Sequence, residues 1–515
     1  MSSVGCSAFI CHTEETHLKR IVLLLTALLC AICLSGCAPL AINLQRAEDT
    51  VPLPLPEVDP IEPIMGDSQS VVQEEIEVWL VSEEYHLIPV PCEITVSDRA
   101  SRAEEIIRAQ LTAHDTADAR NPFPDGCTLL NLERSGNVAV VDLSIDARAA
   151  ESDRQLLWMR SAMAAALSGV DGIEYVNLLI AGRSEGLMTL PAGLSNGTNT
   201  NMNVAETRLN AERERIGREE GASVERRAVL YYAEQGGTRI IPEVCTLRLT
   251  DDDFITPLLE ALSNEPTDGA LCSPLQHVFS AMSEKPDIIQ TEDGHKIVRL
   301  TFDANLIAIL EREGLEEWQL YASLTYTLTG FVPDIDALVV QIGDGLLTKT
   351  TRGGQEIAFT DGEMRRSDYP DAVGTMAYVC LTSLEGGLVR LERAMDKQSA
   401  YSPRALLGEL FRGVQPWETN AARVMPDGVS LDDVLGVRLE DDEAIINFSS
   451  NFYRCCQMLN EQQERNLIYA IVNTLTELPS VNAVRFQIEG EAVDHLVNGI
   501  FLRGALMRNI GIIVP

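Results

Sequence analysis

Residues 470–490 read AIVNTLTELPSVNAVRFQIEG. With Leu467 just upstream, Ile471 and Leu475 continue a spacing of four that stacks apolar side chains on one helical face. Pro479 marks a turn, after which Val484, Phe486 and Ile488 alternate as in a strand. The same grammar occurs twice earlier. Met159, Met163 and Leu167 precede Val176, Leu178 and Ile180, while Leu320, Leu324 and Leu328 precede Leu338, Val340 and Ile342. The three strands end 162 and 146 residues apart. A period of about 150 residues is the size of a whole domain.

Working outward, each copy has a strand-like run before its helix: NVAVVDLS (137–144), KIVRLTFD (296–303) and EAIINFSS (443–450). Helical segments come earlier, around Arg102–Leu111, Ile255–Leu262 and Arg404–Phe411. Each copy opens on a hairpin pattern at 78–96, 228–249 or 377–395, with Gly236-Gly237 and Gly386-Gly387 as turn formers in the latter two. The order strand pair, helix, strand, helix, strand predicts an α+β fold: three tandem small domains, each a mixed sheet covered on one face by two helices. Each unit is expected to end with one more strand, since QEIAFTDGEMRRSDY echoes GIFLRGALMRNIG.

The N-terminus carries a second signal. Lys19 and Arg20 precede an apolar run from Ile21 to Leu34, the layout of a secretory signal peptide. That run falls short of the roughly 20 residues of a permanent membrane span. Its end, Leu34-Ser35-Gly36-Cys37, resembles the lipobox of bacterial lipoproteins. The resemblance implies cleavage before Cys37, a lipid on its sulfur, and an extracytoplasmic chain held at the cell membrane. Prolines 52, 54, 56, 60 and 63 then favour an extended tether.

Composition narrows the partners. The 515 residues hold 77 acids against 40 bases, a net charge of −37, which the loss of 1–36 leaves unchanged. Nucleic acid is disfavoured, because its phosphates need Lys and Arg to displace counterions. So is adsorption to anionic headgroups.

The phrases VVDLS, LIPVPCEITV and residues 470–490 resemble the GerMN domain of sporulation and spore germination. The resemblance covers 75–192, 225–372 and 373–515, with 193–224 as linker, 37–74 as tether and 1–36 as signal peptide. The third copy, from Ile445 to Gly490, matches most closely, and the second diverges most: Asp142 and Asn447 correspond there to Thr301. What the resemblance implies is a non-enzymatic lipoprotein without cofactors, docking other envelope or spore-assembly proteins. Its core is also similar to ring-building motifs, which raises a homo-oligomer as an expectation.

Local motifs were each weighed against a plain structural role. Gly193-Leu194-Ser195-Asn196-Gly197 satisfies G-x-S-x-G, but no helical pattern follows it, so no nucleophile is expected. His86, His114, His277, His295 and His495 have no zinc-type spacing, and no metal site is expected. Asp251-Asp252-Asp253 fits a helix cap better than a cation site. Cys92 with Cys127, and Cys245 with Cys272, occupy matching places in copies one and two. They leave two readings open, a pair of intra-domain disulfides or four small buried thiols. The competing function is a solute-binding lipoprotein serving a transporter, which the same anchor and tether would suit.

Overall fold

The computed structural model describes residues 64–514, apart from 97–101, 188, 219–221, 251–252, 293 and 498. The expected signal peptide, Cys37 and the tether as far as residue 63 lie outside the described residues. Strand β1 (Ser68–Gln69) comes first. The first unit runs β2 (Val72–Ser82), β3 (Leu87–Val96), α1 (Arg102–Thr112), β4 (Ala119–Arg120), β5 (Leu129–Ser135), β6 (Val138–Leu143), α2 (Asp153–Leu167) and β7 (Tyr175–Ile180). Helix α3 (Met202–Arg218) occupies the expected linker.

The second unit follows as β8 (Ser223–Glu234), β9 (Ile240–Thr250), α4 (Ile255–Leu262), β10 (Leu271–Cys272), β11 (Asp287–Gln290), β12 (Lys296–Phe302), α5 (Leu306–Glu313), α6 (Glu317–Phe331) and β13 (Ile335–Ile342). Short strands β14 (Gly345–Leu346), β15 (Lys349–Arg352), β16 (Gln355–Ala358) and β17 (Glu363–Met364) close it. The third unit has β18 (Gly374–Ser383), β19 (Leu388–Asp396), α7 (Pro403–Arg412), β20 (Ala421–Ala422), β21 (Val434–Glu440), β22 (Glu443–Phe448), α8 (Ser450–Cys456), α9 (Glu461–Leu475), β23 (Ala483–Ile488), β24 (Glu491–Ala492) and β25 (Leu506–Met507).

One topology is built three times. The hairpin strands and a two-residue strand form β3-β2-β4, β10-β8-β9 and β19-β18-β20. The other strands form β5-β6-β7, β11-β12-β13 and β21-β22-β23. In each unit the strand before the long helix runs parallel to the strand after it, as a helical crossover requires. The α+β expectation therefore holds, with one refinement: each unit's strands split into two hydrogen-bonded groups rather than one mixed sheet. β2, β8 and β18 are each paired on both edges, so the second group cannot join there. The expected closing strands are present in two units, as β17 on β13 and β25 on β23; in the first, the other edge of β7 has, among the described residues, only the isolated bridges Val176–Ser195 and Ile180–Arg183.

Packing explains the repeated apolar pattern. Met159, Met163 and Leu167, Leu320, Leu324 and Leu328, and Leu467, Ile471 and Leu475 are all fully buried. At roughly 1.5–3 kcal/mol per large apolar side chain, the three in each helix are a major part of its unit's stability. Their helices begin on good caps: Ser152 accepts from Gln155 N, and Asn460 forms a capping box with Gln463. Helix α6 is buried on nearly every side: β8, β13, β15 and α4 of its own unit pack around it, and the first unit meets its C-terminal end, where Asn177 donates to Gly330 O. Its hydroxyls survive burial by bonding inward, Thr325 to Tyr321 O and Thr329 to Thr325 O.

The units do not hang as separate beads. Val138, Val140 and Leu179 of the first belong to the same apolar core as the second. Residues 64–70, expected within the 37–74 tether, are instead folded onto the third unit, where β1 pairs in parallel with β21. The backbone hydrogen bonds Gly66 N→Leu435 O (2.9 Å) and Ser70 N→Leu439 O (3.2 Å) hold that segment in place.

Candidate interaction site

The repeated phrase ends each time in a turn. Ala181 and Gly182 both have positive φ, 50° and 79°, as do Glu489 and Gly490, 52° and 85°. That left-handed pair is what a tight two-residue hairpin needs, and glycine supplies half of it without strain. A polar side chain on the neighbouring strand holds the turn. Asp142 Oδ1 on β6 accepts from Gly182 N at 2.8 Å, and Asn447 Oδ1 on β22 accepts from Gly490 N at 2.8 Å. In the second unit Thr301 donates to Glu284 instead, at 3.2 Å, while Gln341 Nε2 bonds Gly343 O at 3.1 Å. The Asp142/Asn447 position thus fixes the turn, and the second unit uses other atoms there.

Beside Asp142 opens a cleft of about 850 Å³ where the three units meet, its walls including Asn131, Glu133, Asp142, Tyr326, Arg366 and Lys397. Glu133 lies on β5, Tyr326 on α6, Arg366 just after β17, and Lys397 just after β19. Arg366 is its keystone. The guanidinium donates from Nη2 to Tyr326 O (2.7 Å) and from Nε to Thr329 Oγ1 (3.0 Å), with Nη1 3.5 Å from Glu133. It stacks over Tyr326 at 4.4 Å. Tyr231 donates its hydroxyl to Glu133 Oε2 at 2.6 Å. Burial pushes the Glu133 carboxyl up, against the pull of Arg366 and the Tyr231 hydroxyl. Burial likewise raises Asp142, against the Gly182 N–H and Arg366. Across the junction, Asn177 Nδ2 donates to Gly330 O (3.0 Å), Thr375 donates to Arg134 O, and Lys397 Nζ to Asn131 Oδ1 (2.8 Å).

Chemically this arrangement is suited to fixing the angle between units and offering a mixed-charge surface. Among the described residues no group of three His, Cys, Asp or Glu side chains is placed to hold a metal. Ser195 of the G-x-S-x-G motif lies on an extended segment, its backbone exchanging hydrogen bonds with Val176 at 2.8 and 2.9 Å. Gly197, at φ +63°, runs so close to α2 that a Cβ would sit 2.7 Å from Ala164 O. The glycines of that motif therefore serve chain packing. Asp253 accepts from Thr256 N (3.0 Å) at the start of α4, as a capping acid, while Asp251 and Asp252 lie outside the described residues. His295 is 3.2 Å from Asp336, and His86 faces Asn201 at 3.0 Å.

The disulfide reading is corrected. Cys92, Cys127, Cys245 and Cys272 are free thiols. Register excludes the second pair: Cys245 faces Ala228 and Cys272 faces Ala233, on opposite edges of β8. Five residues along a strand at about 3.3 Å each, plus two strand spacings of about 4.8 Å, put them far outside disulfide reach. Burial pushes the Cys127 and Cys272 thiols up to about 11 and Cys245 to about 12, so they are inert. Glu133, Tyr231 and Arg366 escaped sequence reasoning, since nothing local links positions so far apart.

The threefold unit with its buried crossover helix defines a tandem α+β domain protein whose units share interfaces. The Germane family model, described as sporulation and spore germination, matches residues 72–186 and 380–494, within the first and third units. Two of the three like-folded units thus carry the Germane match, and the second, middle unit lies outside it. Among solved structures the chain is similar to the tandem GerMN domains of the sporulation protein GerM from Bacillus subtilis, at 17% identity, covering 56% of this chain and 98% of that one, with a TM-score of 0.22. The first GerMN domain of that protein aligns at 22% identity over 26% of this chain and 97% of its own, TM-score 0.22. A candidate lipoprotein from Clostridium perfringens aligns at 20% identity over 26% and 86%, TM-score 0.19. No curated protein matches the chain.

Proposed function

We propose that this chain is a lipid-anchored, extracytoplasmic docking protein of sporulation or spore germination, acting without catalysis. The observation that carries the reading is the Germane match in two of three like-folded units. The leader and Leu34-Ser35-Gly36-Cys37 support the anchor, with Cys37 as the lipidated residue. Among the described residues no helix is long and apolar enough to cross a membrane. Its partners on this reading are other envelope or spore-assembly proteins. The test is deletion of the gene, followed by counts of heat-resistant spores and of their germination. Reduced yield or slowed germination, restored by the wild-type chain and lost again with Cys37→Ser, is the expected result. Normal spores in normal number would end the proposal.

The 850 Å³ cleft favours a second reading, a solute-binding lipoprotein, because small-molecule pockets have about 300–1,000 Å³. A thermal-shift screen of small solutes separates the two. A saturable rise in melting temperature that Asp142→Ala removes would favour the solute.

A further inference from the structure

The edge of β21 carries an acceptor groove made for an extended segment, and residues 64–70 of the same chain lie in it. Ile64 is buried there, and its carbonyl accepts from Asn447 Nδ2 at 2.6 Å. Asp67 accepts from Val437 N (3.0 Å) and from Arg404 Nε (2.6 Å). Gly436 leaves room for the segment, since a Cβ there would sit 2.5 Å from Gly66 O and 2.9 Å from the Ile64 side chain. The segment is thus read at three positions, the buried apolar Ile64, Gly66 with φ +86° and Asp67, while Met65 Sδ lies 3.9 Å from Asn447 Nδ2.

The equivalent edge in the first unit lacks these features. Asn131 faces Asp142 as Gly436 faces Asn447, so this edge carries a side chain at the position where the third unit has none, and that side chain bonds Glu133 and Lys397. Arg134 O, at the far end of that edge, is taken by Thr375. The groove of the third unit is therefore not repeated in the first. Its hold on the occupant is two residues paired as strand, one buried apolar side chain, the Asn447 bond to Ile64 O and the Asp67 bonds to Val437 N and Arg404. Ordering seven backbone residues opposes that gain. An exposed strand edge closed by so short a segment is a site for strand addition.

We propose that the β21 groove also accepts residues 64–70 of a second copy of this chain, so that copies on one membrane link by exchange of this segment. Every copy carries the same Ile64-x-Gly66-Asp67 pattern at its membrane-proximal end, and confinement to a surface raises the effective concentration of neighbouring segments. At the joint the segment's one charge, Asp67, is met by Arg404, while the net charge of −37 opposes close approach of copies and is screened by salt. The inference rests on this geometry and on the proposed Cys37 anchor, and it is independent of any role in sporulation.

The test uses the full chain in vesicles. A chain with both Ser68→Cys and Arg438→Cys reports closure within one copy, because these residues face each other across β1 and β21. Mixing Ser68→Cys chains with Arg438→Cys chains reports exchange as a disulfide-linked dimer. The expected result is closure in the first case and dimer in the second. Adding Gly436→Val to the Arg438→Cys chain should lower the dimer at least tenfold. If that variant fails to melt cooperatively, Asp67→Lys on the Ser68→Cys chain is the substitute probe, with the same expected loss. Closure without dimer overturns the proposal. So does dimer that neither substitution reduces, or a double variant that never closes.

Discussion

Replacing Arg366 by methionine tests the junction most directly. The substitution keeps most of the volume but removes the donors to Tyr326 O and Thr329 Oγ1 and the cation 3.5 Å from Glu133. Glu133 is 4% exposed, so it cannot recover the lost partner from water. Stripping one member from a buried pair costs roughly 3–5 kcal/mol, because the survivor stays buried and charged. Here burial already raises the Glu133 carboxyl, and proton uptake limits the penalty, so the lower end, about 3 kcal/mol, is expected at neutral pH. Glu133→Gln keeps an acceptor for the Tyr231 hydroxyl. The double variant should recover about 2 kcal/mol relative to the sum of the single changes, the range found for residues in one network. Urea unfolding of the protein, followed by circular dichroism, measures all four corners of the cycle. If Arg366→Met costs under about 1 kcal/mol, or the two changes simply add, the junction is not held by this buried pair.

Three further outcomes follow from the same coordinates. Glu185 is pushed up to about 7 by burial, with Arg183 opposing and Asp334 adding; Asp268 is pushed up to about 7 by burial, with the Ala270 N–H opposing and Glu392 adding. The folded state keeps these protons after the unfolded chain has released them, so stability is full below about pH 4 and is lost as pH rises through about 7. Melts at pH 5 and 8 should show the fall, and Glu185→Gln with Asp268→Asn should flatten it; a rise with pH contradicts the assignment. Non-reducing mass mapping of the folded chain should find Cys92, Cys127, Cys245 and Cys272 all as thiols, with the buried Cys127 alkylated only after unfolding. Ser195→Ala should leave folding and spore phenotype unchanged, whereas Gly197→Val should lower stability by more than about 2 kcal/mol, since it combines a clash with an unfavourable φ; a neutral Gly197→Val would refute the packing role of that motif.

The sequence made the repeat legible because both periods are carried by neighbours in the chain. Helical spacing of four puts Met159, Met163 and Leu167 on one face whatever surrounds them, and alternation does the same for Val484, Phe486 and Ile488. The turn glycines were legible too, since a two-residue hairpin demands left-handed backbone. Three matters were not. Helix α6 looked amphipathic but is buried all round, because β8, β13 and β15 of its own unit pack around it. Residues 64–70 looked like tether, and their strand character exists only against β21, some 370 residues later. The cysteine pairing looked symmetrical, yet register sets Cys245 and Cys272 on opposite edges of β8.

The division has one physical cause. Local periodicity, capping and turn chemistry act over a few residues, so the sequence alone determined the α+β unit, its three copies and the turns that end them. Burial of Glu133 beside Arg366, the meeting of three units around Asp142, and the docking of residues 64–70 on the last unit join residues 233 to 383 positions apart. Only the folded chain brings such groups within hydrogen-bonding distance, and there desolvation decides which of them are bound, raised in pKa or left open to a partner.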